Sequence, residues 1–187
     1  MTMLEIEAKY RAEDWTTIES RLRASGARFD APREDVDSYY NAPDRDFAKT
    51  DEALRIRQIG ADNFVTYKGP KTDAQTKTRK EIEVPLAPGA AVAEQFGQVL
   101  VQLKYRPVAV VRKRRIVCHW QRDGFDMEVC LDDVAEVGKY VELEIMAPAE
   151  QLDKAKAVLQ KTAQELGLQA SERTSYLELL LRKRGLA

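Results

Sequence analysis

Hydrophobic and polar residues alternate with a period of two, or β-branched and aromatic residues are enriched, along eight stretches of the chain, 3–10, 35–41, 52–59, 63–69, 77–86, 107–120, 125–132 and 139–146, each of which predicts a β-strand. Turn signals bound several of them: Gly60-Ala61-Asp62-Asn63, Gly69-Pro70 and Gln121-Arg122-Asp123-Gly124. Links this short between successive strands favour antiparallel pairing. A helical period replaces the alternation at 13–25, where Trp15, Ile18 and Leu22 repeat before Gly26, and again at 89–103, 149–166 and 171–184. No repeat of fixed period, low-complexity run or composition shift marks a linker, so 1–187 reads as one α+β domain.

The charged residues follow the strand phase. Glu5, Glu7 and Lys9 alternate with Leu4, Ile6, Ala8 and Tyr10, giving the first strand one ionic and one apolar face. Arg55 and Arg57, Arg79, Glu81 and Glu83, Lys113 and Arg115, and Glu142 and Glu144 repeat the pattern, with Lys68 closing the fourth strand. One such strand is an ordinary wet face of an antiparallel sheet. Five strands carrying Arg and Glu in pairs two apart weaken that reading: a sheet of this size can close into an eight-stranded antiparallel closed β-barrel, and where helices packed outside cover the apolar faces, the ionic faces turn inward. About six or seven cations and five or six carboxylates then share one enclosed space, which is costly unless they are paired or bind a ligand needing both signs. A polyphosphate held by Arg and Lys, bridged by a carboxylate-bound divalent metal, is such a ligand. An all-oxygen ligand set fits Mg²⁺ or Mn²⁺.

Composition narrows the alternatives. With 30 Lys+Arg against 31 Asp+Glu, the chain lacks the basic excess expected of a nucleic-acid binder. No run approaches the roughly 20 apolar residues of a membrane span, and the N-terminus lacks a signal-peptide layout, so a soluble cytoplasmic protein with no membrane partner is expected. Cys118, Cys130 and His119 cannot make a structural zinc site, and His119 has no Ser or Cys in a nucleophile-elbow context to serve. Neither a P-loop nor a Rossmann glycine pattern is present.

Glu5-Ile6-Glu7-Ala8-Lys9 resembles the ExExK signature of the CYTH superfamily, the triphosphate tunnel metalloenzymes that include class IV adenylyl cyclases and thiamine triphosphatases. The resemblance extends along nearly the whole chain: Asp37-Ser38-Tyr39-Tyr40, Glu52-Ala53-Leu54-Arg55-Ile56-Arg57, Tyr67-Lys68-Gly69-Pro70, Thr78-Arg79-Lys80-Glu81-Ile82-Glu83, Lys113-Arg114-Arg115, Asp132, Gly138 to Glu144, and Ser175-Tyr176. It implies a tunnel that binds a triphosphate with one or two divalent metals. Glu5, Glu7, Asp132, Glu142 and Glu144 are its implied metal carboxylates, and Lys9, Arg55, Arg57, Lys68, Arg79, Lys113 and Arg115 its implied phosphate path. Lys9, Glu81 and Glu83 are implied catalytic contacts, together with Tyr39 as the tyrosine accompanying the motif lysine.

The full run of motifs looks most like the prokaryotic proteins grouped with class IV adenylyl cyclases, which implies conversion of ATP to cyclic AMP and pyrophosphate. Hydrolysis of inorganic triphosphate, thiamine triphosphate or a nucleotide is the runner-up. A non-catalytic polyphosphate-binding module is the third reading, and the anion-repelling carboxylates count against it. The apolar outside of such a barrel also leaves room for a homodimer.

Overall fold

The computed structural model of the protein describes residues 3–70 and 79–186. Among them lie β1 (Met3–Arg11), α1 (Thr16–Ala24), β2 (Arg28–Phe29), β3 (Arg33–Asn41), α2 (Phe47–Thr50), β4 (Ala53–Ile59), β5 (Asp62–Lys68) and β6 (Glu81–Leu86). There follow α3 (Ala90–Gln102), β7 (Arg106–Arg122), β8 (Phe125–Val134), β9 (Gly138–Pro148), a 3-10 turn at Ala149–Gln151, α4 (Leu152–Leu166) and α5 (Tyr176–Lys183). The start of the strand expected at 77–86, including Thr78, lies outside the described residues.

All eight expected strands form, and they pair antiparallel in the order β1-β9-β8-β7-β3-β4-β5-β6, with the two-residue β2 added beside β7. The architecture is α+β, but the sheet is a curled half-barrel where the sequence predicts a closed one. Closure needs the two edge strands to pair along their length. Here β1 and the chain leading into β6 meet at one isolated bridge, Glu5–Arg79. β6 has six residues against nine in β1, and its Pro85 has no N–H to donate to a new ladder.

Helices cover the convex side. α4 buries Ala155, Val158, Leu159, Thr162, Ala163 and Leu166, an i, i+3, i+4, i+7 stripe that ends at Gly167 with φ 77°. That stripe and α1's Ile18 and Leu22 join Ile6, Val129, Leu143 and Ile145 in the main core. Each fully buried aliphatic side chain there contributes about 1.5–3 kcal/mol. α3 covers Ile56 and Val65 on the neighbouring strands. α5 behaves differently: its Tyr176 and Leu180 pack on Val111, Val134 and Tyr140, which share the concave face of β7, β8 and β9. It begins at Tyr176, five residues later than expected, because Ser175 and Glu178 form a capping box and Ser171 is drawn into a bridge with Tyr10. No helix among the described residues is long and apolar enough to cross a membrane.

Candidate active site

The alternation brings thirteen of the ionic side chains named above to the concave face, where one cavity of about 360 Å³ is lined by Glu5, Glu7, Lys9, Arg55, Arg57, Lys68, Arg79, Glu81, Glu83, Lys113, Arg115, Glu142 and Glu144. Three walls organise these side chains.

On the β7–β8 wall, Arg115 grips Asp132 with Nε at 2.6 Å and Nη2 at 2.5 Å, and Nη2 also reaches Glu142. The Tyr176 hydroxyl donates to Asp132 at 2.9 Å, and Lys113 Nζ lies 3.7 Å away. Asp132 is therefore fully buried behind the cations it orients, and its oxygens already carry three donors. Burial pushes Tyr176 well above the usual phenol range, so it stays a donor.

On the β3–β4 wall, Arg57 donates from Nε and Nη2 to the two oxygens of Asp37, both at 2.7 Å, and Arg55 Nη1 lies 3.4 Å from Asp37. Burial works to raise Asp37, yet Arg55 and Arg57 hold it far below the usual carboxylate range. Asp35, fully buried, accepts from Arg33 Nε at 3.0 Å, with Lys113 at 3.9 Å. Neither aspartate is among the site residues drawn from the sequence. The alternation of Asp35 and Asp37 with Val36 and Ser38 was the available signal.

At the seam between β1 and β6, Lys68 Nζ sits 3.1 Å from both oxygens of Glu5 and 2.5 Å from Glu81. Burial raises Glu5; it also works to raise Glu81, but the hydrogen bond with Glu5 and the charge of Lys68 outweigh it. Thr66 donates to Glu83 at 2.8 Å. Arg55 and Arg79 each bury an Nε that has no hydrogen-bond partner among the described residues. Orphaned cationic donors in a cavity suit an anionic ligand.

Lys9 is 1 % exposed and donates to the Thr174 carbonyl, with Nζ 4.0 Å above the Tyr176 ring and 5.4 Å from that of Tyr140. These two rings lie on α5 and β9. Tyr39, the tyrosine expected with the motif lysine, lines the same cavity as Lys9 and interacts with Arg55.

Glu5, Glu7 and Glu144 share the β1–β9 corner, where Glu7 and Glu144 are cross-strand partners. Burial, followed by the charges of Glu5 and Glu7, pushes Glu144 up to about 8. Among the described residues no three His, Cys, Asp or Glu side chains converge as a ready-made metal cage. The donor chemistry fits Mg²⁺ or Mn²⁺ all the same: an all-oxygen carboxylate cluster beside anion-binding cations suits a metal held by one or two carboxylates plus substrate oxygens.

The same cavity is also lined by the apolar Phe47, Leu54, Val108, Leu177 and Leu181, interspersed with Asn41, Asp51, Glu52 and Glu178. His119, on the same face at the opposite end, pairs with Asp30 at 2.8 Å. Cys118 and Cys130 are buried and burial raises both thiols, Cys118 to about 12, so neither is a nucleophile at neutral pH.

Comparison with known proteins identifies relatives of the chain as a whole. The family model described as CYTH domain matches residues 3–176. A Methanocaldococcus jannaschii protein that carries the name "Putative adenylate cyclase" is 36% identical over 95% of this chain and 98% of its own. A solved Pyrococcus horikoshii protein of unstated activity is 38% identical, covers 96% of this chain and 99% of its own, and superposes with a TM-score of 0.84. A Hippeastrum structure at 16% identity, covering 98% of this chain and 96% of its own with a TM-score of 0.66, shares the fold; its description reports a dominant triphosphatase activity in a named adenylyl cyclase.

Proposed function

This chain belongs to the CYTH family, and from that premise we propose that it is a divalent-metal-dependent enzyme acting on a triphosphate that bears an organic group, with ATP converted to cyclic AMP and pyrophosphate. The carrying observation is that one cavity is lined both by the ionic side chains and by the apolar Phe47, Leu54, Val108, Leu177 and Leu181. Inorganic triphosphate has no use for Phe47, Leu54, Leu177 and Leu181, whereas a nucleoside does. The name of the Methanocaldococcus jannaschii relative supports the same reading.

In this reading Arg55, Arg57, Lys68, Arg79, Lys113 and Arg115 hold the phosphate oxygens, Lys9 steadies the segment leading into α5 at Thr174, and Glu5, Glu7, Glu142 and Glu144 face the metal. Glu81 and Glu83 set Lys68 and Thr66. Asp132 serves through Arg115 and Lys113. When bound, the metal neutralises charge that develops on the reacting phosphate. The residues around it align the ribose 3′-hydroxyl with the α-phosphorus, so that the new P–O bond forms as the bond to pyrophosphate breaks and the hydroxyl proton passes to solvent. Hydrolysis is the second reading: the same cations position a triphosphate for attack by water, and the activity described for the Hippeastrum protein favours it.

Incubating the protein with Mg²⁺ or Mn²⁺ and, separately, ATP, thiamine triphosphate and inorganic triphosphate, then resolving the products by chromatography, tests the proposal. Cyclic AMP from ATP supports it, orthophosphate supports the second reading, and binding without products leaves a polyphosphate-binding module.

A further inference from the structure

Building on the triphosphate reading, we propose that Asp37 is a positioning residue for the substrate, holding the guanidinium groups of Arg55 and Arg57 so that their remaining donors face the phosphates. Asp37 is 2 % exposed and lies directly across from Arg57 in the β3–β4 ladder, while Arg55 is two residues further along the same face. It takes the Nε and Nη2 hydrogens of Arg57 and approaches Nη1 of Arg55. A guanidinium has five N–H donors in a rigid fork, so a carboxylate fixed on one edge aims the others. On Arg55 the Nε hydrogen, for one, stays without a partner among the described residues. Both side chains are long, and without Asp37 each would have to be ordered by the substrate itself, which weakens binding.

Simple electrostatics predicts the reverse. Asp37 is an anion beside an anion site, so removing its charge would tighten phosphate binding by reducing repulsion and by freeing Arg57 from a competing carboxylate. The two accounts therefore differ in sign. A bidentate pair at 2.7 Å, backed by Asp35 and Lys113 on the neighbouring positions, is a fixed mount in this fold.

The test measures the affinity of the full chain for inorganic tripolyphosphate with Mg²⁺ by titration calorimetry, for wild type, Asp37→Asn, Asp37→Glu and Arg57→Ala. Circular dichroism checks folding; Asp37→Glu keeps the buried charge and serves if Asp37→Asn does not fold. Positioning predicts binding weakened about tenfold or more in both Asp37 variants, and less than about twofold further loss when Asp37→Asn is added to Arg57→Ala. With ATP, the KM rises more than kcat falls. Unchanged or tighter binding in folded Asp37→Asn and Asp37→Glu overturns the positioning role while leaving the triphosphate reading intact. No binding of either tripolyphosphate or ATP by the wild type overturns both.

Discussion

Arg115 and Asp132 face each other across β7 and β8 in a fork-to-fork ion pair, 2.6 and 2.5 Å at its two contacts, with the carboxylate fully buried. The pair is both a structural brace and part of the anion site, and its two roles separate by mutation. Arg115→Ala leaves Asp132 with Tyr176 and a distant Lys113, so urea denaturation is expected to show a loss of about 3 kcal/mol or more, the usual result of orphaning a buried charge. Arg115→Ala combined with Asp132→Asn is expected to recover part of that stability and none of the substrate binding. Equal losses in single and double variants would show that the pair is not energetically coupled.

Glu144 gives the metal-free protein a signed pH dependence. Its carboxyl, ordinarily near 4.5, is pushed up to about 8 by burial and by Glu5 and Glu7. The folded state therefore holds a proton that the unfolded chain has released, and the associated stability is complete below 4.5 and lost as pH rises through about 8. Glu144→Gln cannot lose that proton. Without metal, the variant is expected to melt about 3 °C or more above wild type near pH 8.5 and level with it near pH 5. Saturating Mg²⁺ is expected to reverse the order near pH 8.5, since only the wild-type carboxylate gains from the cation.

Gly97 in α3 passes so close to Tyr40 that an added Cβ would lie 2.5 Å from the phenol oxygen, with the next ring atom at 3.6 Å. In a helix Ala is normally better than Gly by about 1 kcal/mol. Here Gly97→Ala is expected to lower the melting temperature, and in a Tyr40→Phe background the same change is expected to raise it. A stabilising Gly97→Ala in the wild type would mean that Tyr40 yields freely.

The apolar part of the lining separates ATP from inorganic triphosphate. Phe47→Ala or Leu181→Ala is expected to raise the KM for ATP about tenfold while changing the dissociation constant of inorganic triphosphate, measured by calorimetry, less than about twofold, because only ATP places a ring among these side chains. Equal effects on both ligands would move the nucleoside elsewhere.

Much of this site was legible from phase alone. Glu5, Glu7, Lys9, Arg55, Arg57, Lys113, Arg115, Glu142 and Glu144 share one face because strand side chains alternate, and no register is needed to know it. Asp35 and Asp37 obey the same phase, but their importance depends on which cation lies across the ladder, and that is set by the β3–β4 and β3–β7 registers. The partners of Lys9 were hidden for a related reason: Tyr176 arrives from α5, 167 positions along the chain. Ser175 and Glu178 in fact announce where α5 begins, as a capping box, and a start at 171 overlooked that signal. The open seam could not be read from strand count, because closure depends on the lengths and edges of β1 and β6.

The most direct test of the central claim is ³¹P nuclear magnetic resonance of ATP incubated with the protein and Mg²⁺, with Glu7→Gln as control. The account predicts pyrophosphate and cyclic AMP growing in equal amounts with wild type and neither with the variant. Orthophosphate with ADP, or an unchanged ATP spectrum, would contradict it.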